Sequence, residues 1–215
     1  MRPRLLVLLL VLALAACGGG DGSSSETAGE STEGCETTDP AEPKEVGTRT
    51  APTEPLDDGT TYRLRVETNC GRFAITLDQA LAPTTAASLV ALARDGFFDG
   101  LGFHRVAPGF VIQGGDPTGG GAGGPGYSTV DPPAQDARYT RGVVAMAKTP
   151  DEAPGTSGSQ FFIVTGGDIG LPPEYAIVGT VTEGMETVLE IDDLGVGDGP
   201  PATPVVMEKV TVEES

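Results

Sequence analysis

The sequence predicts a mainly β fold: a closed eight-stranded antiparallel barrel capped by two helices, with a disordered acidic spacer before it. Three observations favour this fold class: eight short β-prone runs, two stretches with helical spacing near the ends of the domain, and a high turn content. The chain of 215 residues contains 32 glycines and 18 prolines. Many short strands joined by turns suit a barrel better than a helix bundle.

The net charge disfavours one class of partner. The chain carries 31 acidic and 13 basic residues, for a formal charge of −18. Binding of nucleic acids or polyphosphates depends on a basic face. We therefore expect no nucleic-acid partner, and we attribute the acidity to solubility and mutual repulsion at a surface.

Residues 1–16 have the layout of a signal peptide. Two arginines precede an apolar run, residues 5–16, which is too short to span a membrane. The run ends in Leu14-Ala15-Ala16-Cys17 before three glycines, which resembles the bacterial lipobox, whose cysteine becomes the lipid-modified first residue of the mature protein. This interpretation places the protein outside the cytoplasm, anchored through Cys17 to the outer face of the cell membrane. The alternative is an ordinary signal peptide with an incidental Cys17.

Residues 17–59 are expected to form a lipid-anchored, disordered acidic linker. They are rich in Gly, Ser, Thr, Glu and Pro and contain no aromatic residue. Such a segment buries too little apolar surface to offset its ordering entropy. With Cys17 assigned to the lipid, Cys35 and Cys70 remain as an even pair outside the reducing cytoplasm. A disulfide between them would tie the linker to the folded domain; two free thiols are the alternative.

The folded domain is expected over residues 60–215, and its elements follow from periodicity. Alternation of apolar and polar residues predicts a hairpin of strands at 62–67 and 73–77. Pro83 and the helical spacing that follows it predict a helix ending at Asp95-Gly96. A hairpin turning at Pro108-Gly109 comes next. The remaining elements are strands at 142–147, 159–164, 176–181 and 205–212, with a short helix after Gly184.

Several chemistries find little support. Residues 119–124 formally match a dinucleotide-binding glycine motif, but Pro125-Gly126 follows where a helix should begin. The chain has no Gly-Lys-Ser/Thr phosphate loop and no Gly-x-Ser-x-Gly elbow. Its one histidine, His104, and three cysteines do not make a metal site. We therefore expect no metal and no cofactor.

Several separate motifs, in collinear order, resemble the cyclophilin family of peptidyl-prolyl cis–trans isomerases over about Tyr62 to Val212. They are Phe103-His104-Arg105-Val106, Pro108-Gly109-Phe110, Gln113-Gly114-Gly115-Asp116, Gly158-Ser159-Gln160-Phe161-Phe162-Ile163 and Val178-Gly179. The resemblance implies rotation of X-Pro bonds. That reaction makes and breaks no covalent bond, so it requires no nucleophile, metal or cofactor.

The resemblance also implies roles for individual residues. It makes Arg105 the catalytic arginine, with Gln113 and Phe110 beside it. A guanidinium is an always-charged donor, suited to drawing the lone pair of the prolyl nitrogen out of amide conjugation. His104 is expected to be a wall residue rather than a base, because no proton is transferred. The expected substrate-binding residues are His104, Val111, Met146, Ala147, Gln160, Phe162, Leu171 and Tyr175. The alternatives are core packing for Phe110 and Phe162 and a plain surface charge for Arg105.

Three positions depart from the family pattern. Gly170 stands where the family commonly has a pocket tryptophan, which argues against strong cyclosporin binding. Tyr175 stands where many members have histidine, and an aromatic ring can still wall the pocket. Lys148 stands where many have asparagine.

The sequence as a whole predicts a monomeric, lipid-anchored isomerase that helps secreted or cell-envelope proteins fold. Its clients would be proline-containing polypeptides. The alternative is a non-catalytic module or chaperone that holds such peptides on the same fold without turning them over.

Overall fold

The computed structural model describes residues 34–45 and 48–215. The predicted signal peptide, Cys17 and the first part of the predicted linker lie outside the described residues. Within the described ranges, no helix is long and apolar enough to cross a membrane.

Strands dominate the described chain. Its elements are β1 (Tyr62–Thr68), β2 (Gly71–Leu77), α1 (Pro83–Arg94), β3 (Leu101–Ala107), β4 (Val111–Gly114), β5 (Thr129–Val130), β6 (Val143–Met146), β7 (Thr156–Ser157), β8 (Phe161–Val164), β9 (Ile177–Glu183), α2 (Met185–Asp193) and β10 (Val206–Glu214). A closed barrel forms in the order β1-β10-β3-β4-β8-β6-β9-β2. All of its neighbouring strands are antiparallel, which confirms the predicted architecture. The short strands β5 and β7, which the sequence pattern did not indicate, pair with each other.

The barrel interior is filled by alternate residues of its strands. Leu64 and Val66 of β1 pack there with Ile163 of β8, and all three side chains are almost fully buried. The ring of Phe161 meets the rings of Phe98 and Phe103 edge-on, with centroids 6.1 and 6.3 Å apart. Edge-to-face pairs of this kind add to the stabilisation that burial itself provides.

The two predicted helices are confirmed, and each contributes to the same core. Helix α1 begins at Pro83, and its Leu89 and Val90 join the barrel core. Helix α2 follows Gly184, whose φ of +72° and close approach to the carbonyl of Arg72 leave no room for a side chain. In α2 the fully buried apolar residues are Val188 and Ile191.

Residues 34–45 and 48–59, which composition placed in the linker, lie against the barrel. Cys35 and Cys70 form a disulfide bond, and the amide of Glu36 donates to the carbonyl of Asn69 at 2.7 Å. The amide of Lys44 donates to the carbonyl of Pro117 at 2.7 Å. Defined contacts therefore begin before residue 60. The segment has little apolar surface to bury, so the covalent link to the β1–β2 turn and the backbone hydrogen bonds hold it against the barrel.

Candidate active site

Strand alternation separates the candidate site from the core. On β4, Ile112 packs inside the barrel, whereas Val111 belongs to a second apolar cluster on the outside. On the neighbouring strand β8, Ile163 points inward and Phe162 outward. Since successive side chains of a strand face opposite sides, each strand contributes to both clusters. The register pairs Phe162 with Gln113 of β4, so the outward residues of the two strands lie side by side.

The outer cluster is an apolar surface walled by aromatic rings. The rings of Phe162 and Tyr175 meet edge-on with centroids 5.6 Å apart, and Tyr139 lies 6.4 Å from Phe162. The buried members of the outer cluster are Val111, Tyr139, Ala145, Phe162 and Val164, and the half-buried ones are Phe110, Val143, Ala147, Ile169, Leu171, Tyr175 and Ile177. Six residues named from the sequence therefore meet here: Phe110, Val111, Ala147, Phe162, Leu171 and Tyr175.

Tyr139 is a wall residue that the sequence did not reveal. Its hydroxyl donates to the carbonyl of Tyr175 at 2.8 Å and accepts from the amide of Tyr175 at 3.0 Å. Burial raises the pKa of Tyr139, so the hydroxyl remains a donor at neutral pH. The contact fixes the backbone at Tyr175 and so the position of that ring. The only signal for Tyr139 was one aromatic residue in the polar stretch 131–141, which is too weak to assign a role.

Arg105 lies opposite Gln113 in the β3–β4 pair, at the edge of the outer cluster. Its Nη1 donates to Oε1 of Gln113 at 3.1 Å, and its guanidinium carbon lies 5.9 Å from the centroid of the Phe110 ring. Gln113 in turn donates to Gln160 at 3.1 Å, and Gln160 donates to the carbonyl of Gly123 at 2.9 Å. These hydrogen bonds form a row that runs from the guanidinium along the edge of the outer cluster. About a third of the arginine side chain (32%) is exposed.

The second hydrogen-bond partner of Arg105 lies far from it in the sequence. The carboxylate of Asp198 accepts from Nε at 2.5 Å and from Nη2 at 3.1 Å. These bonds hold the pKa of Asp198 below its ordinary value, so the carboxylate is ionised at neutral pH. Asp198 follows Arg105 by 93 residues and sits in a glycine-rich loop. Neither periodicity nor motif could have paired the two.

Phe110 is positioned by the end of α2. The amide of Gly109, which turns the chain with a φ of +68°, donates to the buried carboxylate of Asp192 at 2.8 Å. The same carboxylate accepts from the hydroxyl of Thr165 at 2.8 Å, and the amide of Thr165 donates to the carbonyl of Phe110 at 3.0 Å. A carboxylate at a helix C-terminus opposes the helix dipole. Its burial is offset by these hydrogen bonds, which fix the turn that carries Phe110.

His104 lies beside the glycine-rich loop, next to Gly121. It lines a cavity separate from the outer cluster, together with Pro117 and Gly119. Burial lowers the pKa of His104; the charge of Asp116 raises it and that of Arg105 lowers it, and the net effect favours the neutral ring at neutral pH. Its Nδ1 is buried and has no hydrogen-bond partner among the described residues. The structure therefore does not bring His104 together with the substrate-binding residues of the outer cluster, among which the sequence had placed it.

Met146 is not in the site. The structure places its side chain inside the barrel, fully buried against the core, instead of in the substrate-binding surface where the sequence placed it. The reason is the two-residue period of β6. Val144 and Met146 face inward, so Ala145 and Ala147 are the residues that reach the outer cluster.

A polar groove adjoins the pocket on the Gln160 side. It is lined by the amides of Gln113 and Gln160, by residues 121–128 of the glycine-rich loop and by Lys148. The side chain of Lys148 is 2% exposed; its Nζ contacts Glu174 at 3.0 Å and lies 5.6 Å from the centroid of the Tyr175 ring. A charge this deeply buried requires such partners. In the part of the chain that the structure describes, no group of His, Cys, Asp or Glu side chains is arranged to hold a metal ion.

Known proteins of one family resemble this chain over most of its length. The family model for cyclophilin type peptidyl-prolyl cis-trans isomerases matches residues 63–212. The chain is 38% identical over 166 residues to peptidyl-prolyl cis-trans isomerase A of Mycobacterium tuberculosis, which covers 68% of this chain and 90% of that protein. It is 36% identical over 194 residues to probable peptidyl-prolyl cis-trans isomerase B of Mycobacterium leprae, which covers 81% of this chain and 62% of that protein.

A solved structure extends the likeness to three dimensions. The cyclophilin type isomerase of Cryptosporidium parvum, determined in the presence of the dipeptide Ala-Pro, superimposes with a TM-score of 0.65 and 30% identity, over 71% of this chain and 99% of that one. The chain therefore belongs to the cyclophilin-type peptidyl-prolyl cis–trans isomerases.

A pair of substitutions can distinguish the barrel core, represented by Met146, from the outer cluster, represented by Leu171. Met146→Ala should lower the free energy of unfolding by about 2–5 kcal/mol, because it opens a cavity in the barrel core. Its kcat/KM should stay within about twofold of wild type, since Met146 does not reach the outer cluster. Leu171→Ala should do the reverse, with a loss of about tenfold in kcat/KM, as expected for a missing apolar contact to substrate. Denaturant unfolding and a proline-isomerisation assay measure both quantities. A Met146→Ala protein of unchanged stability and reduced activity would contradict the assignment.

Proposed function

We propose that this domain rotates X-Pro bonds at the outer cluster, with Arg105 as the catalytic donor, and that it does so for secreted or cell-envelope proteins. One observation supports the catalytic part above all. The guanidinium of Arg105 lies at the edge of the apolar outer cluster, where Gln113 holds it close to the ring of Phe110.

Isomerisation is limited by amide resonance, which gives an uncatalysed barrier of about 20 kcal/mol. A donor aimed at the prolyl nitrogen favours the pyramidal nitrogen of the twisted amide, where the lone pair has left conjugation. In the proposed mechanism Arg105 supplies that donor, and Phe110 and Phe162 hold the ring while the acyl side rotates. In the same proposal the side-chain amides of Gln113 and Gln160 bind the peptide backbone. An acceleration of about 10⁵ corresponds to about 7 kcal/mol of preferential transition-state binding.

The site requires no proton transfer. His104 is the group whose ordinary pKa lies nearest neutrality, and burial favours its neutral form. It lines a cavity separate from the outer cluster. The proposed mechanism therefore stabilises charge redistribution within the amide and needs neither acid nor base.

The place of action rests on the N-terminal sequence and on the cysteines. The Leu14-Ala15-Ala16-Cys17 pattern supports a lipid anchor on Cys17, and the following 17 residues up to Gly34 supply a tether. The disulfide between Cys35 and Cys70 is compatible with an oxidising compartment. Clients would be proteins that fold outside the cytoplasm and expose X-Pro bonds while doing so.

Cyclosporin is proposed to be a poor ligand of this pocket. Gly170 has a φ of +65°, and the space where its Cβ would point is open. The family's tryptophan at this position is thus replaced by an unfilled rim next to Leu171. A short X-Pro substrate needs less of this rim than a large cyclic peptide does.

Arg105→Ala tests the catalytic proposal. We expect kcat/KM on an Ala-Pro peptide to fall by a factor of about 10² or more, because the donor to the prolyl nitrogen is lost. Arg65→Ala is the matched control, since Arg65 has the same exposed fraction, 32%, and also makes a two-point contact with a carboxylate. Its activity should equal that of wild type. Equal and negligible rates for wild type and Arg105→Ala would favour the non-catalytic binding module instead.

Cys17→Ala tests the anchor. In a bacterial host the wild-type chain should partition into membranes and detergent, and mass spectrometry should find an acylated cysteine at the mature N-terminus. The Cys17→Ala chain should be released or left unprocessed, because the acceptor for the lipid is gone. Cys35→Ala, which also removes one cysteine, should leave partitioning unchanged. An unmodified mature N-terminus at another residue in the wild-type chain would refute the lipoprotein proposal.

A further inference from the structure

Asp198 lies outside the barrel strands and makes two hydrogen bonds with Arg105. The carboxylate accepts hydrogen bonds from Nε and Nη2, on one edge of the guanidinium, at 2.5 and 3.1 Å. Oε1 of Gln113 accepts from Nη1 at 3.1 Å. Two partners on different edges fix the plane of the group as well as its position. A guanidinium has five N–H groups. Among the described residues, one N–H on Nη1 and one on Nη2 are left for a substrate.

The loop that carries Asp198 is held to the β3 strand of Arg105. The amide of Val106 donates to the carbonyl of Gly199 at 2.7 Å, so the residues that follow Arg105 and Asp198 in the chain pair with each other. The loop is closed at its base by the amide of Ala202, which donates to the carbonyl of Leu194 at 2.8 Å. The backbone that carries the carboxylate is therefore placed by the barrel, and it does not depend on the ion pair alone.

Glycines allow the loop to approach the hairpin this closely. A Cβ on Gly195 would lie 2.5 Å from Cγ of Pro108 at the β3–β4 turn, so only glycine fits there. Gly197 has a φ of +119°, which side chains rarely permit. These two glycines, just before Asp198, thus adapt the loop to the hairpin that presents Arg105.

We infer that Asp198 is a positioning residue for the isomerisation: it orients the Arg105 guanidinium so that the remaining N–H groups face the prolyl nitrogen. This inference rests on the proposed role of Arg105 as the catalytic donor. Orientation matters because a donor displaced by about an ångström loses much of its transition-state stabilisation. Asp198 itself acts through Arg105, from the edge opposite Gln113.

We expect the ion pair between Asp198 and Arg105 to contribute little to the stability of the fold. The side chain of Asp198 is 64% exposed, and exposed ion pairs contribute little to the free energy of folding. Removing the carboxylate should therefore change the reaction and leave the barrel intact. Its charge also offsets that of Arg105, so the substrate meets a nearly neutral pair at the rim of the pocket.

The test compares Asp198→Ala, Asp198→Asn and Glu213→Ala. Glu213 makes the same two-point contact with Arg65, at 2.7 and 3.1 Å, and serves as the matched control. We expect Asp198→Ala to lower kcat about tenfold with KM within about twofold, a loss confined to the transition state. Asp198→Asn keeps one acceptor oxygen and should recover part of that loss. Glu213→Ala should match wild type in both constants, and all three variants should unfold at the wild-type denaturant midpoint.

An NMR measurement reports on orientation independently of activity. The Nε–Hε vector of Arg105 should be rigid in wild type and Glu213→Ala, and it should become mobile on the ps–ns timescale in Asp198→Ala. A rigid Arg105 in Asp198→Ala, or a kcat equal to or above that of wild type, would overturn the inference. If wild type itself shows no isomerase activity, the proposed function fails, while the NMR comparison still decides whether Asp198 orients Arg105.

Discussion

The cross-strand register of β3, β4, β8 and β6 is the constraint on which the site depends. It places Arg105 opposite Gln113, Gln113 opposite Phe162, and Phe162 opposite Ala145. Because side chains alternate across each strand, the same four strands fill the barrel on one face and build the outer cluster on the other. A register slip of one residue would exchange the two faces. The strands that are packed in the core thus also fix the positions of the side chains in the outer cluster.

Two further elements complete the site from outside the sheet. The end of α2 fixes the turn before Phe110 through Asp192, and the loop after α2 brings Asp198 to Arg105. Both contacts put a carboxylate on groups of the β3–β4 hairpin. The helix thereby links the barrel core, which it enters through Val188 and Ile191, to the two residues proposed to act on the prolyl bond. In this arrangement the barrel supplies the surface and the segment after β9 supplies the orientation.

Sequence patterns predicted the barrel because its strands are alternating or short apolar runs bounded by turn residues, and the helices because Pro83 and Gly184 mark where they begin. Motif resemblance predicted half of the outer cluster, including Phe162 and Leu171, and also Arg105 at its edge. The prediction for Met146 was wrong because this residue faces the barrel interior, whereas its neighbours Ala145 and Ala147 face the outer cluster. Asp198 and Tyr139 could not be predicted, because their contacts depend on where long loops return to the sheet. The contacts of residues 34–45 with the barrel could not be predicted from composition either. A disulfide bond and backbone hydrogen bonds hold this segment in place although it has little apolar surface to bury.

A crystal structure of the domain with a bound Ala-Pro peptide tests the central claim most directly. The account predicts the proline ring against Phe110, Phe162 and Leu171, with an N–H of Arg105 directed at the prolyl nitrogen from within about 3.5 Å. Asp198 should still hold the other edge of the guanidinium in that complex. A peptide seated instead in the cavity beside His104 and Pro117, with Arg105 turned away from the prolyl bond, would contradict the account.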